Sequence, residues 1–271
     1  MKITNDPALR AIEGSLHDIC KFYGGLPGCA RRDDDELVLM DTRIPAYGFN
    51  AVVYCNFADN ADLRIAEIAR DFECRKLPLM WWTTPLSAPD DIAERLEKAG
   101  FEFEHECPGM YIPMSEVDPD IMPRIEGLRI EFVDSQEKLK DWVKVLSEVQ
   151  ELTFESIGKF MEVEIKAGYE PDSPFLRWVG YIDGAPVCTS ALFTGRGVPG
   201  IYYVVTLDEF RGRGLGRAIT AVALLRAHEA GHKICVLQSS QMGYPLYKKM
   251  GFREKCKFHQ YILPEKPLDL I

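Results

Sequence analysis

The 271-residue chain has no apolar run approaching the ~18 residues that a membrane-spanning helix needs. Its first ten residues, Met1 to Arg10, lack the apolar core of a secretion signal, so a soluble, cytoplasmic protein is expected. There is no CxxC pair either: the eight cysteines stand at positions 20, 29, 55, 74, 107, 188, 235 and 256. That spacing argues against a disulfide framework or a zinc ribbon, and predicts reduced, mostly buried thiols without a metal. Basic charge is in short supply, since 32 Lys and Arg against 42 Asp and Glu leave a net charge of −10. Nucleic acid and anionic membranes are therefore not expected partners.

Two further signatures are missing. The segment Arg211-Gly212-Arg213-Gly214-Leu215-Gly216 is out of register with a dinucleotide fingerprint, and no Gly-Lys-Ser or Gly-Lys-Thr phosphate loop occurs. His228-Glu229-Ala230-Gly231-His232 spells the zinc-peptidase motif, which requires both histidines on one face of a continuing helix. Gly231 reads instead as a helix C-cap, which puts His232 outside the helix.

What the chain does have is a strand, a glycine-rich turn and a helix between Tyr202 and Ala230. Gly212, Gly214 and Gly216 allow positive φ and close approach of a ligand, while the amides at a helix start favour an anion. Arg211, Arg213 and Arg217 make this the basic spot of an acidic chain, suited to one pyrophosphate.

Before that stretch, periodicity predicts a helix over 9–23, strands over 36–42 and 47–57, and a helix over 62–72. A buried strand over 77–83, a helix over 89–99 and a hairpin-like pair over 101–114 around Pro108-Gly109 follow. Alternation on the 77–83 strand sends Trp81 and Trp82 to opposite faces. Pro119, Pro123 and several acids interrupt 115–127, where a domain boundary is expected. Beyond it come a strand over 128–133, a helix capped by Ser135, and a helix over 156–167 ending at Gly168. Strands over 176–182 and 186–192 flank Asp183-Gly184, a hairpin signal. After the glycine loop come a helix over 214–230, a strand over 233–237, a helix over 245–250 and a strand over 255–262.

One internal repeat is visible: Leu96-Glu97-Lys98-Ala99-Gly100-Phe101 matches Tyr247-Lys248-Lys249-Met250-Gly251-Phe252. Both lie after an apolar strand and before another strand, so two copies of one α/β unit are implied.

Arg211, Gly214 and Gly216, together with the next strand and Tyr247 to Gly251-Phe252, resemble the GNAT superfamily of N-acetyltransferases over residues 128 to 271. The resemblance implies an α/β fold, an α+β mixed sheet, as two GNAT-like domains in tandem. The expected division is 1–115 for a degenerate domain, 116–127 for a linker and 128–271 for the catalytic domain. It implies acetyl-CoA (coenzyme A) as co-substrate, with the pyrophosphate held by Arg211, Gly212, Arg213, Gly214, Leu215, Gly216 and Arg217. The edge of Val204, Val205 and Thr206 would pair with the pantetheine amides, and Ser240 would reach toward the cofactor where many members carry asparagine.

Tyr247 matches the family's general acid. No carboxylate stands on the 198–207 strand, so the base is sought among Glu148, Glu151, Glu155 and Glu162, with Glu155 put forward. In the first half, the loop Phe57-Ala58-Asp59-Asn60-Ala61-Asp62 has no glycine and two carboxylates, and Leu96 replaces the tyrosine. It should repel coenzyme A. The expected activity is direct acetyl transfer from acetyl-CoA to a primary amine of a small-molecule or protein acceptor. The competing class is a non-enzymatic acyl-CoA-binding regulatory protein.

Overall fold

The structure is a computed structural model and describes residues 5–195 and 197–264. The fold is mixed α/β, and the chain divides into two compact units that interleave in sequence. The first takes residues 20–107 and the strand residues from Lys257; the second takes Asp6–Ile19 and Pro108–Cys256.

In the first unit β1 (Ala30–Asp33), β2 (Leu37–Asp41) and β3 (Asn50–Cys55) are successively antiparallel. β3 runs parallel to β4 (Leu79–Thr83), which pairs with His259–Leu263 of β11 (Arg253–Leu263). Helices α2 (Ala61–Arg75) and α3 (Ile92–Lys98) supply Ile65, Phe72 and Leu96 to its core. Trp81 is buried there, edge-on to Phe57 and Phe101, while Trp82 meets Phe258, the two-sided arrangement that strand alternation requires. β1 escapes the sequence pattern because Ala30-Arg31-Arg32-Asp33 is charged and largely exposed; pairing with β2 makes it a strand.

The expected hairpin over 101–114 is one strand, β5 (Glu102–Pro113). Gly109 does not adopt the positive φ a Pro-Gly turn requires; it sits opposite Gln238, and the Pro108 carbonyl accepts from Ser239 N at 2.8 Å. Non-local pairing overrode a local turn signal.

The second unit holds β6 (Leu128–Phe132), α4 (Gln136–Val149), α5 (Phe154–Ala167), β7 (Phe175–Ile182), β8 (Ala185–Phe193) and β9 (Gly200–Thr206). α6 (Leu215–Glu229), β10 (Ile234–Gln238) and α7 (Tyr244–Lys249) complete the run. Strands pair in the order β6-β7-β8-β9-β10, with Gly109–Pro113 of β5 beyond β10. Ser135 caps α4 by accepting from Lys138 N, and Asp183 and Gly184 turn the β7–β8 hairpin with φ of 50° and 80°.

α4 and α6 both pack on β8 and β9. Ile201 and Val204 join the apolar cluster of Leu215, Ile219 and Leu224 from α6, whereas Tyr203 stacks edge-on to Trp142 of α4 at 5.2 Å. The two helices therefore lie on opposite faces of β9. Residues 7–19 of α1 (Pro7–Gly24), with Asp6 before them, belong to this unit. Between residues 117 and 127 there is no helix or strand, although Val117 and Ile121 are buried in its core.

Candidate cofactor and acyl-transfer site

The site forms where two parallel strands part. β9 and β10 pair at Gly200 and Val236 alone, with Val236 N donating to Pro199 O at 3.0 Å. From Tyr202 to Thr206 β9 is only half-buried, and among the described residues no strand pairs with the edge facing β10. Val204, Val205 and Thr206 thus present alternate backbone amides and carbonyls to an opening, as strand addition by an extended ligand requires.

A bulge lies within that strand. The β8–β9 register passes from Thr189↔Val205 to Ala191↔Tyr202, so two β9 residues oppose Ser190, and Tyr203 takes φ of 53°. The Tyr203 carbonyl accepts from Thr189 Oγ1 at 2.8 Å, which fixes a conformation that a bulky residue rarely adopts. No sign of this bulge is legible in the sequence, because aromatic residues are ordinary strand formers.

The glycine loop leads into α6. Gly212 and Gly214 take φ of 75° and 83°, and Gly214 is the N-cap of α6, with no side chain capping the first amides and no acid in the first turn. A Cβ at Gly216 would stand 3.3 Å from Leu246 and 3.9 Å from Thr206 Oγ1, so the loop, the end of β9 and α7 converge. Leu215 is buried and anchors the turn. The arginines differ in their commitments: Arg211 donates to Thr206 O at 3.2 Å and pairs with Asp208 at 2.6 Å. Arg213 lies over the Phe210 ring, and Arg217 is exposed with no partner among the described residues. Uncapped amides, left-handed glycines and a free cation fit a pyrophosphate.

Tyr247 lies one turn into α7, 93% buried, with its ring 5.9 Å from Phe252. Burial pushes its phenol well above the ordinary tyrosine pKa, so it stays protonated at neutral pH. Its helix ends with Gly251 N donating to Lys248 O and Phe252 N to Tyr247 O at 3.0 Å. The earlier copy closes in the same way, Gly100 N to Glu97 O and Phe101 N to Leu96 O at 3.0 Å, with φ of 92° and 96° at the two glycines. The repeat read from sequence is thus a repeated Schellman cap. Ser240 is exposed; its hydroxyl accepts from Gly243 N at 3.1 Å at the start of α7.

Glu155, in the first turn of α5, is exposed and paired with Lys159 at 2.7 Å. Glu148 and Glu151 are exposed and line a groove between α4 and α5 with Lys140 and Lys144, and Glu162 is exposed on α5. None of these carboxylates is brought against Tyr247 by any contact among the described residues. Cys235, on β10, is fully buried and its thiol is pushed up to about 12, so it is not a thiolate at neutral pH. His232 lies beyond the end of α6, with Nδ1 3.2 Å from Gly197 O, and no group of three metal-ligating side chains occurs among the described residues.

Sequence reasoning missed the contribution of α1. Ser15 Oγ is 2.9 Å from Tyr202 Oη, and Gln238 Nε2 donates to Ile12 O at 3.3 Å, so α1 is tied to both β9 and β10 near their parting. Gly200 is glycine because a Cβ there would collide with Ser15 Oγ and the Tyr202 ring.

A parted strand pair, a bulge and a glycine loop opening a helix stand together in a fold of GNAT type. Residues 175–254 match the family model described as an acetyltransferase (GNAT) domain. The whole chain is similar to a GCN5-related N-acetyltransferase from Kribbella flavida, with 18% identity, 98% of each chain covered and a TM-score of 0.70. A GCN5-related N-acetyltransferase from Sphaerobacter thermophilus gives 16% identity over 96% of this chain and 90% of its own, with a TM-score of 0.61. A tandem GNAT protein from the clavulanic acid biosynthesis pathway gives 14% identity over 86% and 79%, with a TM-score of 0.58. No curated protein matches the chain by sequence. Residues 175–254 thus carry the match to an acetyltransferase (GNAT) domain, and the chain has the fold of solved GNAT structures, a tandem one among them.

Proposed function

We propose that the protein transfers an acetyl group from acetyl-CoA to a primary amine, with one cofactor site, in the second unit. The observation that carries this reading is the unpaired edge of β9 beside the uncapped start of α6. Acetyl-CoA supplies the activated acyl thioester. Amides of Gly214, Leu215, Gly216 and Arg217 take the pyrophosphate, with Arg213 and Arg217 adding charge and Arg211 bracing the loop. Val204 to Thr206 align the pantetheine by strand addition.

Transfer is direct: the amine nitrogen bonds the acetyl carbon, the carbon–sulfur bond breaks, the sulfur gains a proton and the nitrogen loses one. Tyr247 donates to the sulfur, and its raised pKa keeps that proton available. A covalent relay through Cys235 is disfavoured by burial of its thiol. Glu155 stays in the reading as the candidate base, at the end of a water path rather than in contact, because its carboxylate is exposed and held by Lys159. The acidic net charge favours a cationic acceptor, either a small molecule or a protein amine. We also propose that the chain descends from two copies, 1–115 and 128–271, joined by 116–127; residues 1–4 and 265–271 of those copies lie outside the described residues. The setting is proposed to be cytoplasmic; no helix among the described residues is long and apolar enough to cross a membrane.

The test is titration of coenzyme A by calorimetry alongside thiol release from acetyl-CoA over a panel of amines. One bound equivalent with turnover supports the reading. Binding without turnover on any amine would instead favour a non-enzymatic acyl-CoA-binding regulator, a reading the acetyltransferase match does not favour.

A further inference from the structure

In the second unit α4 and α5 pack together and leave an open groove between them. Each lip of that groove is its own complement when read backwards. We propose that this face joins two copies of the chain about a two-fold axis, α4 antiparallel to α4 and α5 antiparallel to α5. Neither cofactor nor amine is needed for the association.

The α4 lip is charged. Lys140, Lys144, Glu148 and Glu151 recur at helical spacing on one exposed strip, and none of them is in an ion pair among the described residues. That order is poor for the helix itself. Like charges are neighbours at i,i+4 and i,i+3, and the lysines precede the glutamates although a helix dipole favours acids first and bases last. An antiparallel copy turns the order to advantage. With the axis passing near Leu146, Lys140 faces Glu151 of the second copy and Lys144 faces its Glu148, and symmetry repeats each pair.

The α5 lip is apolar. Phe154, Ile157, Met161 and Ile165 share one side of the helix, with Phe154 94% and Ile165 41% exposed. An axis between Gly158 and Lys159 sets Phe154 against Ile165 of the second copy and Ile157 against its Met161. Gly158 lies beside that axis, where a Cβ would meet nothing within 4 Å, and the missing side chain lets a second helix come close.

Charge selects the occupant. A uniformly acidic or basic partner would meet two charges of its own sign on the α4 lip, whereas the same face reversed meets none. The net charge of −10 resists self-association in general, so the local order must specify it. Two helices of 14 residues, each about 21 Å long and about 10 Å from the other, make a small patch. The dimer is therefore weak, with a Kd on the order of 10–100 µM.

The experiment is sedimentation equilibrium of the full chain up to about 300 µM. It compares wild type with Lys140→Glu/Lys144→Glu, with Glu148→Lys/Glu151→Lys, and with Phe154→Asp. Wild type should show a monomer–dimer equilibrium. Each double variant alone opposes like charges and should associate at least about 30-fold more weakly. An equimolar mixture of the two should form a heterodimer within about threefold of the wild-type affinity, a restoration that misfolded variants could not give. Phe154→Asp should weaken association at least about tenfold. A wild type that stays monomeric throughout would overturn the proposal, as would double variants that self-associate like wild type or fail to associate when mixed. Wild-type affinity in Phe154→Asp would overturn its α5 half.

Discussion

Each unit contains a parallel strand pair that opens from one end, and the two openings have opposite fates. In the second unit β9 and β10 part after Gly200 and the edge of β9 stays unfilled. In the first unit β3 and β4 pair at Ala51↔Met80 and Val52↔Trp81, and then the chain after β4 returns to the edge of β3. Ala88 N donates to Cys55 O at 2.9 Å, and Phe57 N donates to Ala88 O at 3.1 Å. The backbone of Ala88 thus makes the pair of hydrogen bonds that a pantetheine amide would make. The helix that follows carries an acid at its start: Asp62, in the first turn of α2, is held by Arg95 at 2.8 Å. Neither helix has a capping side chain, but α6 has no acid at the matching place. On the proposed descent from two copies, the difference teaches that loss of a cofactor site in the first unit involved filling it, besides the loss of glycines.

The sharpest way to break this comparison is Gly214→Val. A β-branched residue at φ of 83° distorts the turn, and coenzyme A affinity should fall by at least about 100-fold in calorimetry. Residual binding of a full equivalent would mean that the first unit holds the cofactor. Next in size, Tyr247→Phe should lower kcat by about 100-fold, the scale of a lost general acid, with coenzyme A affinity unchanged. Because burial raises the phenol's pKa, the acid form persists as pH rises, so the wild-type kcat should not fall through loss of this proton below about pH 10.

In the first unit, Asn60 takes φ of 58° as the N-cap of α2, without a side-chain capping bond. Asn60→Gly should raise stability by up to about 1 kcal/mol, or leave it unchanged, in thermal unfolding, and should create no second coenzyme A equivalent. A second equivalent would show that the loop sequence, rather than the returning Ala88 segment, closes that groove. The smallest effect is expected of Glu155→Gln. An exposed carboxylate acting through water should change kcat/KM by no more than about twofold, and a drop of 100-fold would make it the contacting base.

Legibility followed the range of the interactions. The Gly212–Gly216 loop and the two Schellman caps were readable because left-handed glycines at helix ends leave a local mark. β5 was misread because its Pro108-Gly109 signal is local, whereas the pairing of Gly109 with Gln238 is not. The tie of α1 to β9 was illegible: Ser15 and Tyr202 are 187 positions apart, and a serine on a helix announces no partner. The bulge at Tyr203 leaves no trace in a run of aromatic and β-branched residues either.

The interleaving of the two units bears on how the chain is made. The second unit uses Asp6–Ile19, made before residues 20–107 of the first unit, while the first unit also needs the residues from Lys257, made after those of the second. His259–Leu263 provide the partner of β4, so the first unit cannot close its sheet until the second unit has been made. Domain-by-domain folding during translation, the usual order for a chain of two units, is unavailable. Such long-range closure slows folding and leaves the edge of β4 unpaired until β11 arrives.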